Sequence, residues 1–228
     1  MSETANRETA WAAAGAAAAA LVPDRGSVGL GTGRAAAAGV RALGVRVAAG
    51  LHCRAVATSV STTSLARELD IPVTRLRDRL DVAFDGADIV LPSGLAVKGG
   101  GGAMVRERLV ADRSRRFIVL VDAPKIGASL DEWGYLPTAA VAFAAHLVMD
   151  RLADLSPSRR PGRSDDGLAI IDVHPPAGAD WTAIDARVRA TPGIVDTGLF
   201  ELDPGNVFVG APDGSVRTLA GDAVRGPE

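Results

Sequence analysis

Four short motifs carry residues able to do chemistry. Gly29-Leu-Gly31-Thr-Gly33 places bare backbone at the head of an alanine-rich stretch that begins at Arg34. Free N–H groups and a helix dipole at such a junction favour an anion, so the segment reads either as a phosphate cradle or as a tight strand-to-helix turn. It matches neither the dinucleotide fingerprint, which wants glycine where Arg34 stands, nor the P-loop, which wants Gly-Lys-Ser/Thr. Asp85-Gly86-Ala87-Asp88 offers two carboxylates able to bind sugar hydroxyls, hold a metal or move protons, with a capped polar turn as the plain alternative. Lys98 is followed by Gly99-Gly100-Gly101-Gly102 and then by Arg106-Glu107-Arg108. Backbone so bare admits close approach by a ligand, the alternative being a flexible surface loop. The fourth motif is Asp122-Ala-Pro-Lys125, a charged pair after an apolar run.

The charge inventory singles out the same places. Of 25 basic residues in 228, only Lys98 and Lys125 are lysines, which leaves 23 arginines. Both lysines therefore sit in candidate site motifs. A net charge of −2 argues against a nucleic-acid partner held through phosphates. The longest apolar stretch, Ala12 to Val22, falls short of the roughly 20 residues that span a bilayer. Residues Met1 to Glu8 are polar, unlike a secretory signal, and the single cysteine, Cys53, suits a cytoplasmic chain. His52, His146 and His174 are scattered without ligand spacing, so no metal site is expected.

These motifs need rigid elements to hold them. Helix is predicted over Thr9–Leu21, strand over Ser27–Leu30, and helix from Arg34 to Leu43 after the glycine turn. The alternation continues with strand Arg54–Thr58, helix Thr62–Asp70, strand Val82–Phe84, a short strand Leu95–Val97, helix Met104–Asp112 and a buried strand Phe117–Val121. Such alternation predicts an α/β fold with a Rossmann-like parallel sheet and its ligands at the strand C-terminal ends. After Pro137, Thr138 to Leu155 reads as one long apolar helix, followed by the arginine-rich segment Ser156–Asp166. Strand Leu168–Val173, helix Asp180–Ala190 and strand Val195–Phe200 then describe a smaller inserted α+β (ferredoxin-like) domain. Asn206–Val209 and Val216–Leu219 flank Pro212-Asp213-Gly214 as a hairpin. The expected division is a main α/β domain of residues 1–130 and 204–228, with the motifs at its strand ends, and a small domain of 131–203.

In this order the motifs resemble ribose-5-phosphate isomerase type A over nearly the whole chain. The Lys-Gly-Gly-Gly run followed by Arg106-Glu107 is the most specific part, and Asp165-Asp-Gly167 leading to Asp172, with Gly193 to Phe200, resembles the family's C-terminal signatures. The resemblance implies a cofactor-free enzyme of the pentose phosphate pathway that interconverts ribose 5-phosphate and ribulose 5-phosphate through an enediol. Carried over by position, Glu107 is the base, Lys98 stabilises the enediolate, Asp85 assists ring opening and proton movement, and Asp88 holds sugar hydroxyls. Thr32, Gly33, Arg34, Ala35, Gly86, Ala87, Gly99, Gly100, Gly101 and Lys125 line the substrate and phosphate site by the same resemblance. A homodimer or homotetramer is implied too. The chain departs from the family pattern at Arg34, usually Ser or Thr, at Ile89, usually acidic, at Pro124, usually Ser, and at Thr138-Ala139, usually Val-Glu. Those departures keep two alternatives open: an isomerase for another sugar phosphate, and a non-catalytic sugar-phosphate sensor of the same fold.

Overall fold

Alanine-rich helices and short apolar strands alternate from the N-terminus, as their propensities dictate. The computed structural model describes residues 2–222 and Val224. In chain order the first elements are α1 (Glu3–Ala20), β1 (Gly26–Leu30), α2 (Arg34–Ala48), β2 (Cys53–Ala57), α3 (Val60–Glu68), β3 (Val82–Gly86), β4 (Ile89–Val90), β5 (Leu95–Val97) and α4 (Met104–Arg113). They continue as β6 (Phe117–Asp122), β7 (Leu136–Ala140), α5 (Ala145–Arg151), β8 (Ser158–Arg159), β9 (Ala169–Val173), α6 (Trp181–Arg189), β10 (Ile194–Thr197), β11 (Leu199–Glu201), β12 (Val207–Gly210) and β13 (Val216–Thr218). Packing divides the chain into two compact units, Met1–Ala87 with Arg106–Ile126 and Leu202–Glu228, and Asp88–Val105 with Gly127–Glu201.

The first unit is built on a six-stranded sheet of order β13-β12-β6-β3-β1-β2. Every pairing from β12 to β2 is parallel, and β13 adds antiparallel to β12 as the expected hairpin. One face buries Leu30, Phe84, Leu120 and Phe208 against Ala14, Ala18, Val40 and Leu43 of α1 and α2. Each such large apolar side chain contributes roughly 1.5–3 kcal/mol by leaving water. The other face carries a smaller cluster of Val56, Leu80, Ala83 and Val110, the last from α4. The α/β class with a parallel sheet is therefore what the fold shows. Parallel strands bring β1, β3 and β6 to one edge with their C-terminal ends, which is where the Gly31–Gly33 turn, Asp85 and the Asp122–Lys125 motif sit.

The second unit is antiparallel. It holds a four-stranded sheet of order β10-β7-β9-β8 and a three-stranded sheet of order β11-β5-β4. Leu136, Ala140, Val148, Leu152, Ile171 and Trp181 share its core. Two expectations fail here. The long helix over Thr138–Leu155 is instead β7, a 3-10 turn at Ala142–Ala144 and the short α5. All five residues of β7 are buried, so the strand shows none of the alternation that would mark it, and small apolar residues mimic a helix in composition. The strand expected over Val195–Phe200 breaks at Gly198 into β10 and β11, which join different sheets. Gly198 N donates to Pro137 O at 2.7 Å, and its carbonyl accepts from Lys98 N at 2.8 Å. No helix among the described residues is long and apolar enough to cross a membrane.

Candidate active site

The expected site residues fall in both units. In the first, β1 runs into Gly31-Thr32-Gly33 and α2 starts at Arg34. Gly31 lies against the Asp85 side chain, so a Cβ at position 31 would overlap the carboxyl group. Asp85, in β3, is 1% exposed. Its Oδ1 accepts from Thr32 N at 2.9 Å and from Gly86 N at 2.8 Å. Two backbone donors fix the carboxylate beside the turn. Gly86 faces Ala35 across this rim, a Cβ on Gly86 falling 3.8 Å from Ala35 Cβ. Ala87 follows β3, Lys125 closes the 3-10 turn Ala123–Lys125 after β6, and Glu107 is buried in the first turn of α4.

A hydroxyl cluster braces the turn from behind. Thr58 Oγ1 donates to Leu30 O at 3.1 Å, Thr62 Oγ1 donates to Gly31 O at 2.8 Å, and the Thr32 and Thr58 hydroxyls lie 2.8 Å apart. Ser59 caps α3 by accepting from Thr62 N at 3.1 Å. Sequence reasoning passed over Thr58, Ser59 and Thr62. Their signal was a run of hydroxyls at a strand's C-terminal end. Beside the turn, the Arg34 guanidinium sits 4.8 Å from the centroid of the Trp11 ring, and Arg7 sits 5.1 Å from the same ring. Arg7 Nε also donates to Asp122 Oδ2 at 2.6 Å, so the acid of the fourth motif is held by α1. Helix α1 thus reaches the rim through Arg7 and Trp11, neither of which the spacing singled out.

In the second unit the lysine motif is a knot of backbone bonds. Asp88 N donates to Val97 O at 2.9 Å, and Asp88 Oδ2 accepts from Gly100 N at 2.7 Å, which ties the second carboxylate to the glycine run. Gly99 has φ +97°, left-handed backbone that a side chain would strain, and Gly101 follows on the same loop. Lys98 is 2% exposed, with Nζ 5.6 Å from the centroid of the Phe200 ring. Arg160 had not been foreseen. Its Nη1 donates to Gly99 O at 3.0 Å and to Gly100 O at 2.8 Å. Its Nε and Nη2 make a bidentate pair with Asp172, each at 2.7 Å, and its guanidinium lies 5.7 Å from the Tyr135 ring centroid. Burial pulls on the Arg160 charge, but the bonds and charge of Asp172 outweigh it and hold the guanidinium more firmly protonated than usual. Burial likewise pushes the Tyr135 phenol up, which keeps it a neutral platform under that cation. No local pattern announces Arg160, because its partners lie far away in the chain.

The first unit therefore brings Thr32, Gly33, Arg34, Ala35, Asp85, Gly86, Ala87 and Lys125 to the ends of β1, β3 and β6, with Glu107 on α4. The second unit groups Asp88 with Lys98, Gly99, Gly100 and Gly101. Residues 54–214 match the family model described as ribose 5-phosphate isomerase A (phosphoriboisomerase A). The chain belongs to the ribose 5-phosphate isomerase A family. Within that family, the ribose-5-phosphate isomerase A of Deinococcus radiodurans is 40% identical over 205 residues, covering 86% of this chain and 91% of the relative. The Natronomonas pharaonis member is 39% identical over 224 residues, covering 94% and 98%. The solved ribose 5-phosphate isomerase A from Methanocaldococcus jannaschii superposes with a TM-score of 0.82 at 31% identity, over 91% of this chain and 97% of that one. A solved D-ribose-5-phosphate isomerase in complex with phospho-erythronic acid gives a TM-score of 0.83 at 29% identity, over 93% and 98%. Relatives with this shared name favour an isomerase over the sensor alternative.

Proposed function

We infer that the chain interconverts D-ribose 5-phosphate and D-ribulose 5-phosphate through an enediol, without a cofactor. The observation that carries this reading is the pairing of a buried carboxylate fixed by backbone donors, Asp85, with the motif that holds the buried Lys98 and leads into the buried Glu107. In the reaction, Glu107 removes the C2 proton of the open-chain aldose. The C–H electrons form the C1=C2 bond and the carbonyl π pair moves onto O1. Lys98 compensates that oxyanion, as a preorganised cation does best in a site shielded from water. Asp85 assists ring opening and moves a proton from O2 to O1, and Glu107 returns its proton to C1. Asp88 holds sugar hydroxyls. Thr32, Gly33, Arg34 and Ala35, where α2 presents its positive end, take the phosphate together with Lys125, and Gly86, Ala87 and Gly99–Gly101 line the substrate.

A coupled assay on purified protein tests the reading. Ribulose 5-phosphate should form from ribose 5-phosphate, and Glu107→Gln should cut turnover about 10³-fold while calorimetry still shows substrate binding. No product from the wild-type chain would overturn it. One observation favours a second reading, an isomerase for another sugar phosphate: Arg34 brings a guanidinium held over Trp11 to a position where the family pattern has a hydroxyl. Comparing turnover on a panel of pentose and hexose phosphates separates the two.

The same proposal places the chain in the cytoplasm as a homodimer or homotetramer. Exposed Val141, Phe143, Leu147 and Val195, with Phe143 at 89%, support self-association. Light scattering on the purified chain reads the oligomeric state.

A further inference from the structure

Residues 73–81, which lead into β3, are stitched down at both ends. Val73 bridges to Ala55 in β2, and Thr74 N donates to Ala55 O at 2.7 Å. At the other end Leu80 N donates to Arg113 O at 2.8 Å, and Asp81 Oδ2 accepts from Ser27 N at 2.9 Å and Ser27 Oγ at 3.0 Å. Midway, Leu76 packs into the apolar cluster of Val56, Leu80, Ala83 and Val110. With its middle and both ends pinned, the segment is a fixed wall. Arg75, Arg77 and Arg79 line a cavity of about 370 Å³ together with Arg54 of β2, while Leu76 stays out of it.

Four arginines line it on a chain whose net charge is −2. Among the described residues none of the four is in an ion pair. Asp81 is held by Ser27 and lies 3.9 Å from Arg115, and its charge also acts on Arg54. Asp78 is the one carboxylate in the lining, which therefore carries four arginines against one acid and stays cationic even with Asp81 beside Arg54. A concave surface of one sign concentrates oppositely charged ligands, and planar guanidinium forks match phosphate oxygens. The volume falls in the range of small-molecule sites, and Val56 and Leu80 add apolar lining.

We propose that this cavity binds a small molecule with clustered phosphates, a nucleoside di- or triphosphate or free pyrophosphate. A single phosphate engages one or two of the forks, whereas a di- or triphosphate matches the cationic excess of the lining. The charged end of the cavity lies at Ser27 and Arg54, paired near the starts of β1 and β2, and its apolar lining runs up to Val56, paired with Gly29, whereas Gly31–Arg34 and Asp85 lie at the far ends of the same sheet's strands. Four residues of strand put Gly31 roughly 13 Å from the Ser27 and Arg54 end, where the arginines gather. Both ligands therefore fit at once, and the new site stands whether or not the isomerase reading does.

Isothermal titration of the full chain, with and without saturating ribose 5-phosphate, tests this with ATP, pyrophosphate and inorganic phosphate as probes. One ATP or pyrophosphate should bind per chain in both conditions, at least tenfold more tightly than inorganic phosphate. A preference for ATP over pyrophosphate identifies the nucleotide as the source, and the reverse identifies the free anion. The triple variant Arg75→Ala/Arg77→Ala/Arg79→Ala should weaken binding at least tenfold and leave isomerase turnover unchanged, with Arg77→Glu as a single-site check should the triple variant fold poorly. Wild-type affinity in both variants, competition by ribose 5-phosphate, or no binding tighter than about 1 mM would overturn the proposal.

Discussion

Taking an ammonium out of water is expensive, and a chain that otherwise uses arginine keeps a lysine at position 98 with 2% exposure. A compact ammonium delivers its charge to one oxygen, whereas a guanidinium spreads it over a plane. Lys98→Arg should therefore lose about 10²-fold in turnover in the coupled assay, and near wild-type turnover would refute the role of Lys98. Arg160 acts at one remove. By holding the Gly99 and Gly100 carbonyls it positions the loop that begins at Lys98, and Asp172 holds it in turn. Arg160→Ala should raise KM about tenfold with a smaller effect on kcat, and added guanidinium ion should recover part of the loss. A purely structural residue would lower the melting temperature without that rescue. The motifs that hold Lys98, Asp85 and Asp88 stood out in the sequence because each is contiguous. Arg160 was not, because its meaning lies in Gly99, Gly100, Tyr135 and Asp172, which only the folded second unit assembles.

Elements carry the same lesson. The units β1, α2, β2, α3, β3 and β6 follow the predicted alternation because each strand is an apolar run closed by a turn residue. β7 escaped because burial on both sides erases its period, and α1 began earlier than predicted, at Glu3, where Ser2 caps it by accepting from Ala5 N at 3.3 Å. Turn β1–α2 is the element on which the first unit's rim depends. Gly31→Ala would force a methyl group into the Asp85 carboxyl, an overpacking that should cost about 1–3 kcal/mol. Thermal melts should show the loss of stability, and turnover should fall because Asp85 is the atom group that must shift. An alanine variant with unchanged melting and turnover would contradict the close approach.

At the scale of the whole molecule, both units share one acid weakness. Ser27's backbone N–H holds the Asp81 carboxyl below its ordinary value of 3.8, and the Gly178 N–H and Trp181 indole do the same for Asp131. A folded-state pKa below the unfolded one contributes stability above the unfolded value and loses it as pH falls through the folded value. Melting temperature should hold steady from about pH 5 upward and fall below about pH 4, with a shallower acid limb in Asp131→Asn. A limb of equal steepness in that variant would remove Asp131 from the account. The contact between Gly31 and Asp85 also has a bearing on descent. A lineage that keeps the aspartate is favoured to keep the glycine, since a larger residue at position 31 collides with the carboxyl. A larger residue at position 31 is therefore expected to come with a smaller or displaced one at position 85, so the two positions should change together.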